Sequence, residues 1–250
     1  MAKAVTPSRQ AEGGFKRTNP FIFALGMLGL TIPSQMFSAY STYFYNQEML
    51  LSLGMISLGT VFYTIWDAFN DPLFGFLSDR TRTRHGRRKP WLLVAAPLYS
   101  LFYILFFAPP DNLRGTSALA IYFTVFMMLT ETMSTITTVN YHSLFPELFS
   151  QNRERTRANA LRQAFQLVGM IIGVALTPMI TSAIGYRNTA IVLSVTGMLL
   201  LVTSTLGSHE NPQFEETEKP SLLDSYKAVL GNRNFVKVSL TNFFYQACSG

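Results

Sequence analysis

Trp66-Asp67-Ala68-Phe69-Asn70-Asp71-Pro72-Leu73-Phe74-Gly75 sets two carboxylates and an amide into a run that is otherwise apolar, and this stretch governs the reading of the rest. Acids buried among apolar residues are expensive, and at such depth they usually face a polar cavity and serve a pathway. Helical spacing places Asp67, Asn70 and Asp71 at i, i+3 and i+4, on one face. Pro72 has no N–H for the Ala68 carbonyl, which leaves one more oxygen nearby. An oxygen-only cluster bearing two negative charges suits a hard monovalent cation such as Na⁺, held as a metal by Asp67 and Asp71. Without an ion, carboxylates this close repel and one holds a proton, so H⁺ is the rival occupant. A plainer reading makes the two acids ion-pair partners at a membrane edge.

Outward from that stretch, the apolar run extends over roughly 50–78, and comparable runs lie near 20–46, 91–108, 117–145, 160–183 and 189–206. Each is close to or above the length of about 20 residues that a helix needs to cross a hydrocarbon core about 30 Å thick. Of the 250 residues 48% are hydrophobic and 14% charged, against about 25% charged in a soluble domain, so bulk water is excluded as the main solvent. The fold class expected is an all-α membrane protein: a polar tail over 1–19, six spans over 20–206, a polar connector over 207–234, and the start of a seventh span over 235–250. Gly250 falls inside an apolar, aromatic stretch, so the chain is expected to be a truncated piece of a longer protein. Six spans, a long connector and a seventh form the layout of a carrier with two six-helix halves, whose C-terminal half is then a missing partner.

Charge placement supports the same layout. The net charge is +6, yet 18 of the 20 Lys and Arg residues fall on one side of the spans, with Arg114 and Arg187 on the other. That asymmetry predicts a cytoplasmic N-terminus and a cytoplasmic connector, in a cell (inner) membrane. It also speaks against nucleic acid as a partner, because the charges flank apolar spans instead of forming one face. Cys248, the one cysteine, excludes a disulfide framework within the chain and any multi-cysteine metal site. Residues 1–19 are polar and basic, and the apolar run after them is too long for a signal-peptide core, so it reads as a retained first span.

Within the spans, Pro33 predicts a kink in the first, and Pro90-Trp91 a helix start for the third. Gly169 and Gly173 are spaced for close helix packing. Ser221-Leu222-Leu223-Asp224 predicts a short amphipathic helix over Leu222–Leu230. Glu131, Thr135 and Thr138 fall at i, i+4 and i+7 in the fourth span, giving a second polar stripe that can line the same cavity. Thr135 can then add an oxygen to the cation site, although threonines in membrane helices often bond only their own backbone.

The turn after the second span reads Gly75-Phe76-Leu77-Ser78-Asp79-Arg80-Thr81-Arg82-Thr83-Arg84-His85-Gly86-Arg87-Arg88-Lys89. Gly75, Asp79, Arg80, Gly86, Arg87 and Arg88 resemble the cytoplasmic loop motif of the major facilitator superfamily, which implies a role in gating. Within that superfamily Asp67-Ala68-Phe69-Asn70-Asp71-Pro72, this loop and Lys89-Pro90-Trp91 resemble the glycoside, pentoside and hexuronide cation symporters, the melibiose permease family. The likeness continues through Ser143-Leu144-Phe145-Pro146 and Arg153-Glu154-Arg155-Thr156 and covers nearly the whole chain. It implies that Asp67, Asn70, Asp71 and Thr135 form a cation site and that Arg162 stands near a sugar site.

The resemblance also has departures. Galactoside-transporting members carry acids in spans one and four where this chain has Thr31 and Thr138, and a sugar-stacking tryptophan where it has His142. Losing two carboxylates and an aromatic face removes the chemistry that recognises galactosides. The expected activity is therefore cation-coupled symport, by alternating access, of a small-molecule substrate in the lipid bilayer: a sugar or glycoside of another kind, with a lysolipid or other amphiphile as the alternative. The expected substrate site comprises Arg162, Glu131, Thr31, Thr138 and His142, with Na⁺ or H⁺ as coupling ion and no other cofactor. An enzyme is not expected, since no HExxH, GxSxG or paired-cysteine motif occurs and His85, His142 and His209 are not at ligand spacing. A channel or a non-transporting scaffold is the remaining rival.

Overall fold

A computed structural model of the protein describes residues 18–81, 83, 86–209, 231, 237 and 241, and for Asp71 and Pro72 the helical backbone alone. Six helices account for most of it: α1 (Pro20–Tyr43), α2 (Leu53–Arg80), α3 (Lys89–Phe106), α4 (Ser117–Leu148), α5 (Asn152–Met170) and α6 (Thr177–Leu206). The helix predicted over Leu222–Leu230 and the seventh span lie outside the described residues.

Helix ends follow local chemistry. The Asn19 side chain accepts from the Phe21 N–H at 2.9 Å, and Pro20 opens α1, where a missing N–H costs nothing. Ser52 caps α2 through the Met55 N–H, and Pro90 stands in the first turn of α3 as the sequence predicts. Between α5 and α6 a wide π-helical turn, Ile171–Leu176, keeps the helix going instead of ending it. The true break comes inside α6 at Gly185, with φ +78° and ψ 164°, a conformation that glycine alone adopts freely.

Four stretches, Pro20–Glu48, Lys89–Phe106, Ser117–Leu148 and Asn152–Leu206, are long and apolar enough to cross a membrane. The last has 55 residues, enough for two crossings once broken at Gly185. Its first crossing is α5 with the π turn and the start of α6; its second is the rest of α6. The helix absent from that set is α2, 28 residues long, which carries the carboxylates. The six helices form one bundle, in keeping with the all-α membrane fold that the sequence predicts.

Packing sets the order of helices. α1 packs on α5 and α6, α3 packs on α4 and α6, and α2 packs on α4. α2 and α5 are thus the two flanks, without substantial contact with each other. Small residues bring α1 against its neighbours: a Cβ on Gly197 would lie 2.6 Å from the Gly29 carbonyl oxygen. That carbonyl is the one Pro33 leaves without an i+4 donor, so the glycine lets α6 close over it. α1 nevertheless runs on through Pro33 to Tyr43, so the proline costs a hydrogen bond without ending the helix. Gly169 and Gly173 do the packing predicted for them, lying against Thr31, Ile32 and Gln35 of α1.

Buried polar groups in this interior are mostly tied to backbone. Tyr45 donates to the Phe106 carbonyl, and Tyr141 and Ser204 both donate to the Phe23 carbonyl, each at 2.8 Å. In a lipid environment such groups have no water to fall back on.

Candidate functional site

The functional residues are placed by the pairing of α2 with α4, which run parallel. Gly59 lies on Thr124, the Trp66 indole donates to the Thr132 hydroxyl at 2.9 Å, and Gly75 faces Val139. The constant offset puts Asp67 level with Glu131 to Met133, and Asn70 level with Thr135. Two stripes that the sequence separates by more than sixty residues thus come to one depth.

Asn70 is 1% exposed, and neither its amide oxygen nor its nitrogen has a partner among the described residues. Burying an unmet amide costs about 1–3 kcal/mol in mutational data, so such a group persists where something else completes it. Glu131 is half-buried and interacts electrostatically with Asp67, and also with Tyr99 and Tyr103 of α3. The Tyr103 hydroxyl is buried and unpartnered as well. Two acids on facing helices, with an orphaned amide one turn further on, form an oxygen-rich layer able to hold a small cation. The side chain of Asp71 lies outside the described residues.

The threonines of α4 divide into two kinds. Thr132 donates to the Met128 carbonyl and Thr137 to that of Met133, at 2.7 and 3.0 Å. Thr135 and Thr138 make no hydrogen bond with any described residue, so the back-bonded reading fails for the two on the polar stripe.

Thr31 behaves otherwise. Its hydroxyl donates to the Met27 carbonyl at 2.7 Å, and its side chain is buried under Gly169, in the contact between α1 and α5. Thr31, expected in the substrate-binding set, thus stands in a packing position between α1 and α5. The reason is that Gly169 brings the α5 backbone directly onto it.

Arg162 of α5 reaches α4. Its guanidinium donates to His142 Nδ1 at 2.7 Å and lies over the rings of Phe145 and Tyr141, 4.5 and 5.3 Å from their centroids. Arginine has no acceptor, so Nδ1 supplies its lone pair and the imidazole proton sits on Nε2. Arg162 is 8% exposed, whereas His142 is exposed.

At the basic end of the bundle the loop charges are closed on one another. Arg88 bonds Asp79 at 2.8 Å and Glu147 of α4 at 2.9 Å, and Arg87 bonds Glu147 and stands 4.0 Å from Asp79. Gly86 has φ +101°, and its N–H reaches the Thr83 carbonyl, so the turn that delivers both arginines needs glycine there. Arg80 stays outside this set, over the Phe76 ring. Gly75 leaves room beside it: a Cβ there would meet only Val139 among the described residues, at 3.9 Å. The close approach of α2 falls on Gly59 instead, 2.5 Å from the Thr124 hydroxyl by the same measure. Glu147 is the residue that sequence reading missed. Its only signal is an acid beside Pro146 at a helix end, across from a loop rich in arginine.

Two cavities of about 750 and 740 Å³ lie at opposite ends of the bundle, the first beside Tyr40, Glu48 and Tyr186, the second beside Thr18 and Glu154. Neither is lined by the polar stripe, whose residues lie on faces of α2, α4 and α5.

A family model described as MFS/sugar transport protein matches residues 22–250. The chain belongs to that family. It is 30% identical over 215 residues to an uncharacterized symporter of Synechocystis sp., covering 82% of this chain and 39% of the relative. It is 26% identical over 238 residues to the isoprimeverose transporter of Lactiplantibacillus pentosus, covering 90% of this chain and 49% of that one. The sodium-dependent lysophosphatidylcholine symporter 1 of Mus musculus is 36% identical over 114 residues, 44% of this chain and 21% of the relative. The chain thus spans less than half the length of each of these relatives. Membership in the family and the apolar helices make it a multi-pass membrane protein.

Proposed function

We propose that this chain is the N-terminal half of a cation-coupled symporter that carries a sugar or glycoside by alternating access. The observation that carries the reading is the α2–α4 register, which sets the orphaned Asn70 amide beside the unbonded Thr135 hydroxyl and one turn from Asp67 and Glu131. Cation binding by Asp67, Asn70, Asp71 and Thr135 neutralises the acids, and neutralisation makes the loaded carrier cheap to reorient through a low-dielectric barrier. Na⁺ suits the oxygen donors, and H⁺ on the acids is the competing coupling ion. The ion pairs among Asp79, Arg87, Arg88 and Glu147 act as the gate at the basic end, which faces the cytoplasm of a cell membrane. A second six-helix half completes the cavity.

A second substrate reading, a lysolipid, is favoured by the likeness to the lysophosphatidylcholine symporter. A galactoside is disfavoured by the neutral Thr31 and Thr138.

Asp71→Asn in the protein carrying both halves tests the coupling. Cation-dependent uptake into proteoliposomes should vanish while membrane insertion is kept; uptake at the wild-type level would remove Asp71 from the mechanism. Saturable, gradient-coupled flux separates this carrier from a channel or scaffold.

A further inference from the structure

The cavity of about 750 Å³ at the end away from the basic loops has no part in the coupling site. All three turns of that end contribute to its wall: the π-helical turn Phe44–Glu48 after α1, residues 109–114 between α3 and α4, and the break at Gly185. The positive φ of Gly185 turns the chain so that the Tyr186 ring comes 5.1 Å from that of Phe44 and 6.4 Å from those of Tyr43 and Phe107. Phe44 and Phe107 are buried and make the floor, whereas Tyr186 is half-buried and Tyr43 is 53% exposed, so both offer ring faces. Tyr40 contributes its ring alone, because its hydroxyl donates to the Val174 carbonyl at 2.7 Å.

Charges of both signs surround these rings. Arg114 and Arg187, the two basic residues that the sequence leaves on this side of the spans, both line the cavity, together with Glu48 and Asp111. None of these four side chains is in an ion pair or a hydrogen bond with a described residue. Two acids and two arginines leave the cavity near neutral, so it selects neither an anion nor a cation. They do supply bidentate acceptors and bidentate donors. Aromatic faces beside such groups are what holds a pyranose, whose C–H face packs on a ring while neighbouring hydroxyls bond a carboxylate or a guanidinium. The volume lies within the range of about 300–1,000 Å³ typical of small-molecule sites.

Resting on the transporter reading, we infer that this cavity is a second saccharide site, an entry site in which Tyr43 and Tyr186 stack on the sugar and Glu48, Asp111, Arg114 and Arg187 bond its hydroxyls. It is separate from the polar stripe of α2 and α4, none of whose residues lies in its wall. Its occupancy therefore does not depend on the coupling ion.

Equilibrium dialysis of the purified protein carrying both halves, against labelled methyl glucoside, methyl xyloside and maltose, counts the sites. At least one of these sugars should bind at two sites per protein, and Tyr186→Ala should leave one. Glu48→Gln changes an exposed side chain and spares the fold; it should weaken the same site about tenfold and leave the other unchanged. Asp71→Asn and removal of Na⁺ should leave the entry site at its wild-type affinity. Saccharide binding that neither Tyr186→Ala nor Glu48→Gln alters would overturn the inference, as would no saccharide binding at all. Binding of phenylalanine in place of the sugars would overturn it too, by showing a site for zwitterions. Cation-driven uptake of the same sugars into proteoliposomes reports on the transporter reading separately. An entry site without uptake would remove the symporter and keep the site, and uptake with binding indifferent to both variants would do the reverse.

Discussion

α4 ends at Leu148 among charges that are paired: Glu147 takes Arg87 and Arg88, and Asp79 shares Arg88. Within about three turns on the same helix, Thr135, Thr138 and His142 stand beside Asn70 and Arg162 with donors and acceptors that no described residue answers. Both sets are polar groups in a low-dielectric setting, where an unmet one is costly. The first set holds helices together, and it closes on itself. The second is left open, at a cost the fold carries only if something from outside completes it. Unequal satisfaction along one helix is the contrast on which the proposed cation site rests.

Substitutions can break that contrast. Glu147→Ala removes the acid that Arg87 and Arg88 share on α4, and should destabilise the purified protein by about 3–5 kcal/mol in denaturant or thermal melts, the cost of breaking a buried ion pair from one side. Gly197→Leu drives a side chain onto the Gly29 carbonyl; overpacking of this kind costs about 1–3 kcal/mol, and separation of α1 from α6 should appear as faster cleavage by protease. Trp66→Phe removes the bond to Thr132 and should cost about 1 kcal/mol of stability with cation affinity unchanged. Thr135→Ala should change stability least, by under about 0.5 kcal/mol, since its hydroxyl holds nothing. It should nevertheless raise the half-saturating cation concentration about fivefold in uptake assays, with Thr135→Ser restoring it. If Thr135→Ala proved as destabilising as Trp66→Phe, the hydroxyl would be structural and the contrast would collapse.

Much of the fold was legible because its signals are local. The apolar runs, the proline at the start of α3 and the spacing of Gly169 and Gly173 each follow from a few neighbouring residues, and each has its counterpart in the bundle. The site was legible in part. Asp67 and Asn70 share a face by helical spacing alone, whereas the packing of Thr31 under Gly169 is set by another helix and has no local signal. Close approach falls on Gly59 and not on Gly75, because which glycine permits it depends on the neighbouring helix and not on the motif that contains it.

Residue order by itself determined that this is a membrane protein of long apolar helices and that Asp67 and Asn70 share one face of α2, because length, period and composition are properties of consecutive residues. Tertiary structure alone decided that Glu147, 60 residues from Arg87, pairs with the loop charges, that Asn70 comes level with Thr135, and that Arg162 meets His142. Those pairings depend on the register between helices, which is set by where small residues let backbones approach, and no window of sequence contains that information.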